Sequence, residues 1–599
     1  MAEIRKQTIG DLLSAHDDSD TYRQAELARL ETCLADSGPL VAWIHGADGH
    51  GKSSLLQAFC DRVAAAGAAA IRIDCRTVEP TAGGLLGALG ELLATPVADI
   101  ESASARIASR ARRVVLAFDN YEVFRLADSW LRREFIPALD AGTRVVLVSS
   151  EPPAAGWIST RTWRQYLLEV PVSPVADSAP ERHVQSLLDA IEQPHVRNSI
   201  DAVSIVRRIT RPMLAALCPE SPADTLYEQL SRLDFVERRR DGLALLDIVR
   251  EIVAARLQAA DPERFRECQR AAWRVLREQL LQASRADLWR FTADVIYLIE
   301  NPVIREAFFP SESARFSVEP ATPADREPVM AIAARHEPAE SLHALELWWQ
   351  HLPASFHIVR DGTGSMAGFY CMARPEDLDK TWMRFDPVAR NWQSHLFARG
   401  RSAVLPSLFL RRWLSDHDGE TPCPVQAAAW VDIKRTYLEL RPQLRHVYLA
   451  LHDLRPYAAV AAELGFEVIE DLAAGMGEST CHTALLDFGP GSVDGWICNL
   501  VAAELGVESP GLLDHAGREL LLDGERIGLT PLEFGVMALL EGHSGEAVSR
   551  DELLRQVWGH GHDGGSNVVD AVVRGLRRKC GEHADILETV RGVGYRLRA

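Results

Sequence analysis

At 599 residues, 47% of them hydrophobic and 25% charged, the chain is too long for one hydrophobic core and has the composition of an ordinary soluble protein of about three to five domains. A formal net charge of −19 excludes a basic coat over the whole surface, so any contact with nucleic acid has to be local. No apolar run is long enough to span a membrane, and the opening MAEIRKQTIGDLLSAHDDSD lacks a secretory core and soon turns acidic, which predicts a cytoplasmic protein with no membrane contact.

Residues 20–175 alternate strands and helices. LVAWIHG, AAIRIDC, RRVVLAFDN and TRVVLVSS read as strands, with SLLQAFCDRVAAAG, TAGGLLGALGELLA and SWLRREFIPAL as the helices between them. That order predicts a parallel sheet covered by helices. The first strand runs into GADGHGKS, which fits G-x-x-x-x-G-K-[ST]. Glycines Gly46, Gly49 and Gly51 let successive backbone N–H groups face phosphate oxygens, Lys52 adds a point charge, and the hydroxyl of Ser53 suits Mg²⁺. The helix beginning at Lys52, with Ser54 in its first turn, presents its positive end to the anion. Asp119, closing the strand VVLAFD, is placed to reach the same metal. The expected ligands are ATP or ADP with Mg, held by Gly46, Gly49, Gly51, Lys52, Ser53, Ser54 and Asp119. Asn120 follows Asp119, and an amide cannot take a proton from water. Glu122 is the nearest carboxylate that could.

The segment YRQAELARLETCL, the phosphate loop, VVLAFDNYE and VVLVSSEPPAAGW resemble the nucleotide-binding module of STAND ATPases, relatives of AAA+ proteins. The stretch from ITRPMLAALCPES to DIVREIVAARL is similar to the small winged-helix domain that follows it. The chain departs from this pattern at the groups that read or cleave a γ-phosphate. Glu151 stands where the family often has an arginine, no glycine–x–proline turn occurs between 150 and 205, and Leu246–Asp247 replaces a His–Asp pair. The resemblance therefore implies a nucleotide acting as switch or structural ligand rather than fuel, and a homo-oligomer.

Residues 176–315 read as mostly helical, with a small winged-helix-like segment inside. Residues 316–490 alternate strands and helices again. FSVEPATPADREPVMAIA, SFHIVRDGTGSMAGFYCMA and RHVYLALHDLRPYAAVAAELGFEVIED resemble a GNAT-type acetyltransferase fold. Where that family carries a glycine-rich loop for the coenzyme pyrophosphate, this chain has DHDGETPCP. Asp416, Asp418 and Glu420 repel phosphate, and the prolines remove amide donors. A scaffold or a sensor of a small-molecule effector is expected, with acetyl transfer as the alternative. Residues 491–510 read as a linker.

From 511 to 599 the chain has its own turns and periodicity. Thr530 and Ser549 stand before helices. In SNVVDAVVRGLRRKC, Val569, Val573 and Leu576 form a buried stripe. Asn567, Ala571, Arg574 and Arg578 form an opposite row, with Arg577 and Lys579 beside it. ILETVRGVGYRLR reads as a hairpin. This unit strongly resembles the winged-helix domain of OmpR/PhoB-type regulators. The resemblance implies a helix in the major groove of double-stranded DNA and a hairpin against its backbone or minor groove. The implied DNA-binding set is Asn567, Arg574, Arg577, Arg578, Lys579, Thr589, Arg591 and Tyr595. No phosphoacceptor module is recognised ahead of the unit, so control by phosphorelay is not expected. Ten cysteines without C-x-x-C spacing predict thiols rather than disulfides or zinc ligands.

The fold class expected is a multidomain α/β and α chain: a P-loop parallel sheet, a helical and winged-helix segment, a GNAT-like α/β domain and a C-terminal winged helix. The function expected is a nucleotide-binding transcription regulator, with a nucleotide-regulated acetyltransferase or a remodelling ATPase as alternatives.

Overall fold

The computed structural model describes residues 23–47, 50–173, 180–239, 241–281, 283, 288–304, 315–398, 406–441, 443–488, 492–507, 513–514, 519–522, 525–543, 547–558 and 567–597. Among them no helix is long and apolar enough to cross a membrane, all ten cysteines are free thiols, and no cluster of His, Cys, Asp and Glu could hold a metal ion.

Five strands open the chain: β1 (Val41–His45), β2 (Ala69–Asp74), β3 (Val114–Asp119), β4 (Thr143–Ser149) and β5 (Leu167–Pro171). They form a parallel sheet in the order β2-β3-β4-β1-β5. The central strands are continuous apolar runs because both faces are covered. Val114, Leu116 and Phe118 pack on one side, while Val115 and Ala117 pack on the other against α1 (Gln24–Glu31) and α2 (Lys52–Ala65). Helix α2 leaves the carboxyl end of β1, and β3 ends nearby at Asp119. The sheet thus brings together two segments far apart in sequence.

From residue 180, four short helices lead to a hairpin of β6 (Val236–Arg239) and β7 (Gly242–Leu245). Then follow α3 (Asp247–Ala260), α4 (Pro262–Leu281) and α5 (Leu288–Tyr297). The middle sheet comprises β8 (Ser317–Pro320), β9 (Phe356–Arg360), β10 (Met366–Ala373), β11 (Ser407–Ser415), β12 (His446–Leu451), β13 (Phe466–Val468), β14 (Ala474–Met476) and β15 (Ser479–Asp487). Its order is β13-β15-β12-β11-β10-β9-β8, with β14 on β15. Helices α6 (Pro424–Leu440) and α7 (Ala458–Leu464) flank it. Every pairing is antiparallel except β11 with β12, which run parallel for only four residue pairs.

The stretch expected to be a linker is a helix, α8 (Ser492–Leu505), whose Val493, Trp496, Ile497, Val501 and Leu505 are buried. Its partners are remote in sequence. The Trp273 indole donates to the Cys498 carbonyl at 3.3 Å, and Glu504 accepts the amides of Glu300 and Asn301 at 2.7 and 2.8 Å. The helical stretch, one face of the middle sheet and α8 share one apolar cluster. Expected boundaries at 315 and 490 therefore mark changes of pattern along the chain, not separate cores.

Buried charge organises the other face of the middle sheet. Arg411 and Asp386, both fully buried, pair at 2.8 Å. Arg412 donates to Glu337 and Glu420, and His452 lies 3.2 Å from Glu337. Burial pushes the Glu337 carboxyl up, but His452, Arg412 and Ser341 outweigh it and hold it at about 2. A depressed carboxyl contributes stability that is complete above its unfolded value, near 4.5, and is lost as pH falls toward 2. At neutral pH that contribution is roughly 3 kcal/mol. Glu337→Gln is expected to lower the urea midpoint at pH 7 and to approach the parent as pH drops from 4.5, read by tryptophan fluorescence. A gap that stays constant with pH would contradict the pairing.

The remaining described residues form β16 (Leu513–Asp514), β17 (Glu519–Leu522), β18 (Glu525–Gly528), α9 (Pro531–Gly542), β19 (Ala547–Ser549), α10 (Arg550–Leu553), α11 (Asn567–Cys580), β20 (Leu587–Val590) and β21 (Gly594–Leu597). Thr530 caps α9 in a capping box and Ser549 caps α10. Val536, Met537, Leu540, Leu553, Val569, Val573 and Leu576 make a core cluster composed of this unit's own residues.

Candidate nucleic-acid interface and phosphate loop

Helix α11 is amphipathic at the spacing its sequence predicts. Val569, Val573, Leu576 and Cys580 are buried, whereas Ala571, Arg574, Arg578 and Lys579 are exposed. Beside it, β20 and β21 form an antiparallel hairpin with Val590 opposite Gly594. Gly592 takes φ +76°, the left-handed conformation the tight turn requires. Arg591 is exposed on that turn. Among the described residues, no hydrogen bond or salt bridge engages the guanidinium groups of Arg574, Arg578 and Arg591. Three long cationic side chains on one helix row and one hairpin tip make a surface suited to a polyanion.

The other expected contact residues hold this surface together. Arg577 donates from Nε to the Leu587 carbonyl at 2.9 Å and from Nη2 to the Thr589 hydroxyl at 2.8 Å, tying α11 to the hairpin. Thr589 is thus exposed but already accepting. Lys579 reaches back to the Gly528 carbonyl at 2.9 Å and to Glu533 at 2.7 Å, bracing the start of α9. Tyr595, expected at the DNA, is only 4% exposed. Its hydroxyl donates to Asp570 at 2.6 Å, and Arg550 bonds the same carboxylate at 2.9 Å. The Asp570 carboxyl lies below its ordinary range, chiefly through that Tyr595 hydroxyl bond. Tyr595 is a packing residue because β21 alternates, with Tyr595 and Leu597 turned to the core and Arg596 away from it. Asn567 begins α11, and its side chain lies outside the described residues.

At the other end of the chain, Gly51 takes φ +77° at the start of α2, so the loop turns there without a Cβ penalty. The Lys52 ammonium donates to the carbonyls of Gly46 and Ala47 at 2.7 and 3.0 Å, within the loop. Ser53 donates to Asp119 at 3.1 Å. The predicted pair therefore meets across 66 residues of sequence. Ser53 and Ser54 are exposed, while Asp119 is buried. Gly49 lies outside the described residues.

Several neighbours were not anticipated. Arg72 on β2 donates to the second oxygen of Asp119 at 2.5 Å. A basic residue inside the otherwise apolar AAIRI was the available signal. Arg23 pins the loop, donating to the carbonyls of His50 at 2.6 Å and Ser173 at 3.1 Å. Asn120, with φ +56°, donates its amide to Asp74 at 2.9 Å. Asp247, in the place of the missing His–Asp pair, bonds Arg76 at 2.8 Å, and Arg239 lies 3.4 Å from Asp74. Burial pushes Asp74 up, but Arg76 and Arg239 outweigh it and hold the carboxyl below its ordinary value. These pairs lock the hairpin β6–β7 and α3 to the edge of the parallel sheet. Glu151 pairs with Arg125, and Glu122 accepts the amide of Ser150 at 3.0 Å.

Comparison with known proteins bears on the C-terminal unit. Residues 524–597 match the family model described as "Transcriptional regulatory protein, C terminal". The transcriptional regulatory protein CseB of Streptomyces coelicolor is 42% identical over 87 residues, covering 14% of this chain and 36% of that protein. CssR of Bacillus subtilis is 39% identical over 94 residues, covering 16% of this chain and 41% of CssR. The crystal structure of the DNA-binding domain of Bacillus subtilis CssR aligns with 39% identity over 14% of this chain and 96% of that domain, with a TM-score of 0.13. The chain thus spans well under half the length of these curated relatives.

Proposed function

We propose that this chain, whose C-terminal unit belongs to the C-terminal domain family of transcriptional regulatory proteins, is a DNA-binding transcription regulator that keeps a purine nucleotide on its phosphate loop. Helix α11 enters the major groove of duplex DNA and the β20–β21 hairpin lies against the adjacent backbone. The observation that carries this reading is the exposed row of Arg574 and Arg578 beside Arg591, on a helix whose opposite face is buried. Arginine can fork onto guanine or clamp phosphates, and with a net charge of −19 overall the contact has to be confined to this patch.

For the nucleotide, the residues present fit ATP or ADP. Gly51 opens the turn, Lys52 supplies the charge, and α2 presents its N-terminus. Ser53 and Asp119 converge as a Mg²⁺ pair would, although Arg72 already shares the Asp119 carboxylate. Bound there, the metal would offset phosphate charge. The position of a hydrolytic base is held by an amide, and the nearest carboxylate is committed elsewhere. The Asn120 amide serves Asp74, and Glu122 serves the backbone of Ser150. That supports a switch or structural ligand over a motor. Around the expected coenzyme loop, Glu420 accepts the amides of His452 and Asp453 at 3.0 and 2.6 Å. A carboxylate holding those donors favours a non-catalytic middle domain over acetyl transfer.

The deciding experiment uses the full chain and a labelled duplex enriched from a random-sequence library. Anisotropy is recorded without nucleotide, with ATP and with ADP, across a range of salt. Saturable, sequence-selective, salt-sensitive binding is expected, with an affinity that differs between nucleotide states. No selective enrichment would end the proposal, and identical affinity in all three states would end the switch.

A further inference from the structure

Where β11 and β12 part, a cavity of about 850 Å³ opens beside the middle sheet. The sheet's own geometry makes it. The two strands pair only from Ser407–His446 to Leu410–Leu449, and beyond that point the cavity lies between Trp413 on β11 and Leu449 and Leu451 on β12. Helices α6 and α7 contribute the remaining walls, among them Trp430 and Val460. Sites of this size, enclosed by apolar and aromatic walls, commonly take small molecules.

The polar groups of the lining are nearly all engaged. Gln426 donates to the Gly419 carbonyl at 2.6 Å and accepts from the Cys423 thiol. The Tyr457 hydroxyl donates to the Glu420 carbonyl at 2.5 Å. Arg455 is 90% exposed and pairs with Asp453 at 2.7 Å. The Trp413 indole Nε1–H has no hydrogen-bond partner among the described residues, but that nitrogen is itself buried and offers the cavity no donor.

We propose that this cavity binds an uncharged, largely apolar small molecule. We further propose that it is the effector site of the regulator, a role that rests on the DNA-binding reading above. A phosphate-bearing ligand does not fit, because the lining's one arginine is held by Asp453 at the surface. The connection outward is short. Leu464, on the cavity wall at the end of α7, accepts from the Trp496 indole of α8 at 2.8 Å. Pro302 and Val303 line the same cavity, next to the segment whose amides Glu504 of α8 holds. An occupant that moves α7 therefore acts on α8, the helix that precedes the C-terminal unit.

The test titrates prodan, an uncharged naphthalene ketone, into the full chain without DNA or nucleotide. Saturable binding with blue-shifted emission is expected. Ala427→Phe and Ala461→Phe each fill the cavity and should weaken the dye by roughly 30-fold, with an unchanged circular-dichroism melt. Millimolar acetyl-CoA should leave prodan bound. Non-saturable uptake, undiminished parental affinity in both filling variants, or displacement by acetyl-CoA overturns the site. Since no DNA is present, these failures leave the DNA reading standing. Selective DNA binding that ignores saturating prodan would remove only the effector role.

Discussion

Replacing Arg574 and Arg578 together by alanine is expected to abolish selective binding of duplex DNA while the chain stays folded. Both side chains are exposed on α11, and neither makes a hydrogen bond that stabilises the fold among the described residues. Each is therefore available to a base edge or a phosphate. A bidentate base contact contributes about 1–3 kcal/mol, so losing two should weaken the complex by at least roughly 30-fold. If the contacts are to phosphates, the slope of log K against log salt should become shallower by about 2. Anisotropy at several salt concentrations distinguishes the two. Tyr595→Phe serves as the control. Its ring is buried and its hydroxyl serves Asp570, so it should bind DNA within about threefold of the parent, with a stability loss of roughly 1 kcal/mol. Arg577→Ala separates positioning from contact. It frees the hairpin from α11 and should lower the melting temperature together with affinity. Undiminished selective binding by the double variant would remove α11 from the interface.

The second large effect is expected from Lys52→Ala. The Lys52 ammonium rests on the carbonyls of Gly46 and Ala47, at the mouth of α2. A triphosphate offers it a stronger, charged acceptor. A hydrogen bond to a charged group contributes roughly 1.5–3 kcal/mol, which corresponds to about 10- to 150-fold in affinity for ATP or ADP. Calorimetric titration of the purified variant reads this directly. Any difference between the DNA affinities of the ATP and ADP states should disappear in the same variant, while nucleotide-free DNA binding persists. An unchanged ATP affinity would mean that the loop is a structural turn. Arg72→Ala is a useful companion. It frees one oxygen of Asp119, and tighter Mg²⁺-dependent ATP binding would show that the guanidinium competes with the metal.

Much of the architecture was legible in the residues. The strands ending at His45, Asp119 and Ser149 are apolar runs long enough to be unambiguous, and a glycine-rich loop between strand and helix has few alternatives. The α11 face was equally clear, because its buried residues recur at helical spacing. Legibility failed wherever a side chain's role depends on a partner distant in sequence. Arg574, Arg577, Arg578 and Lys579 are indistinguishable as cations on a helix. Only the nearness of Leu587, Thr589, Gly528 and Glu533 turns two of them into braces. Tyr595 read as a contact because its position in the resemblance is right, yet strand alternation buries it. The stretch 491–510 read as a linker because its helix is apolar nearly all round and lacks the polar face that marks a surface helix.

By itself the sequence determined the local conformations: which segments are strands, where helices start, and which loop can approach phosphate. These follow from short-range sterics and from periodicity. Tertiary structure alone decided which charges are committed and which are available, that α8 packs with both the helical stretch and the middle sheet, and that β11 and β12 part to leave a cavity. The reason is that pairing and burial are set by the distance between groups from 10 to more than 200 residues apart in sequence, a quantity that no local pattern encodes.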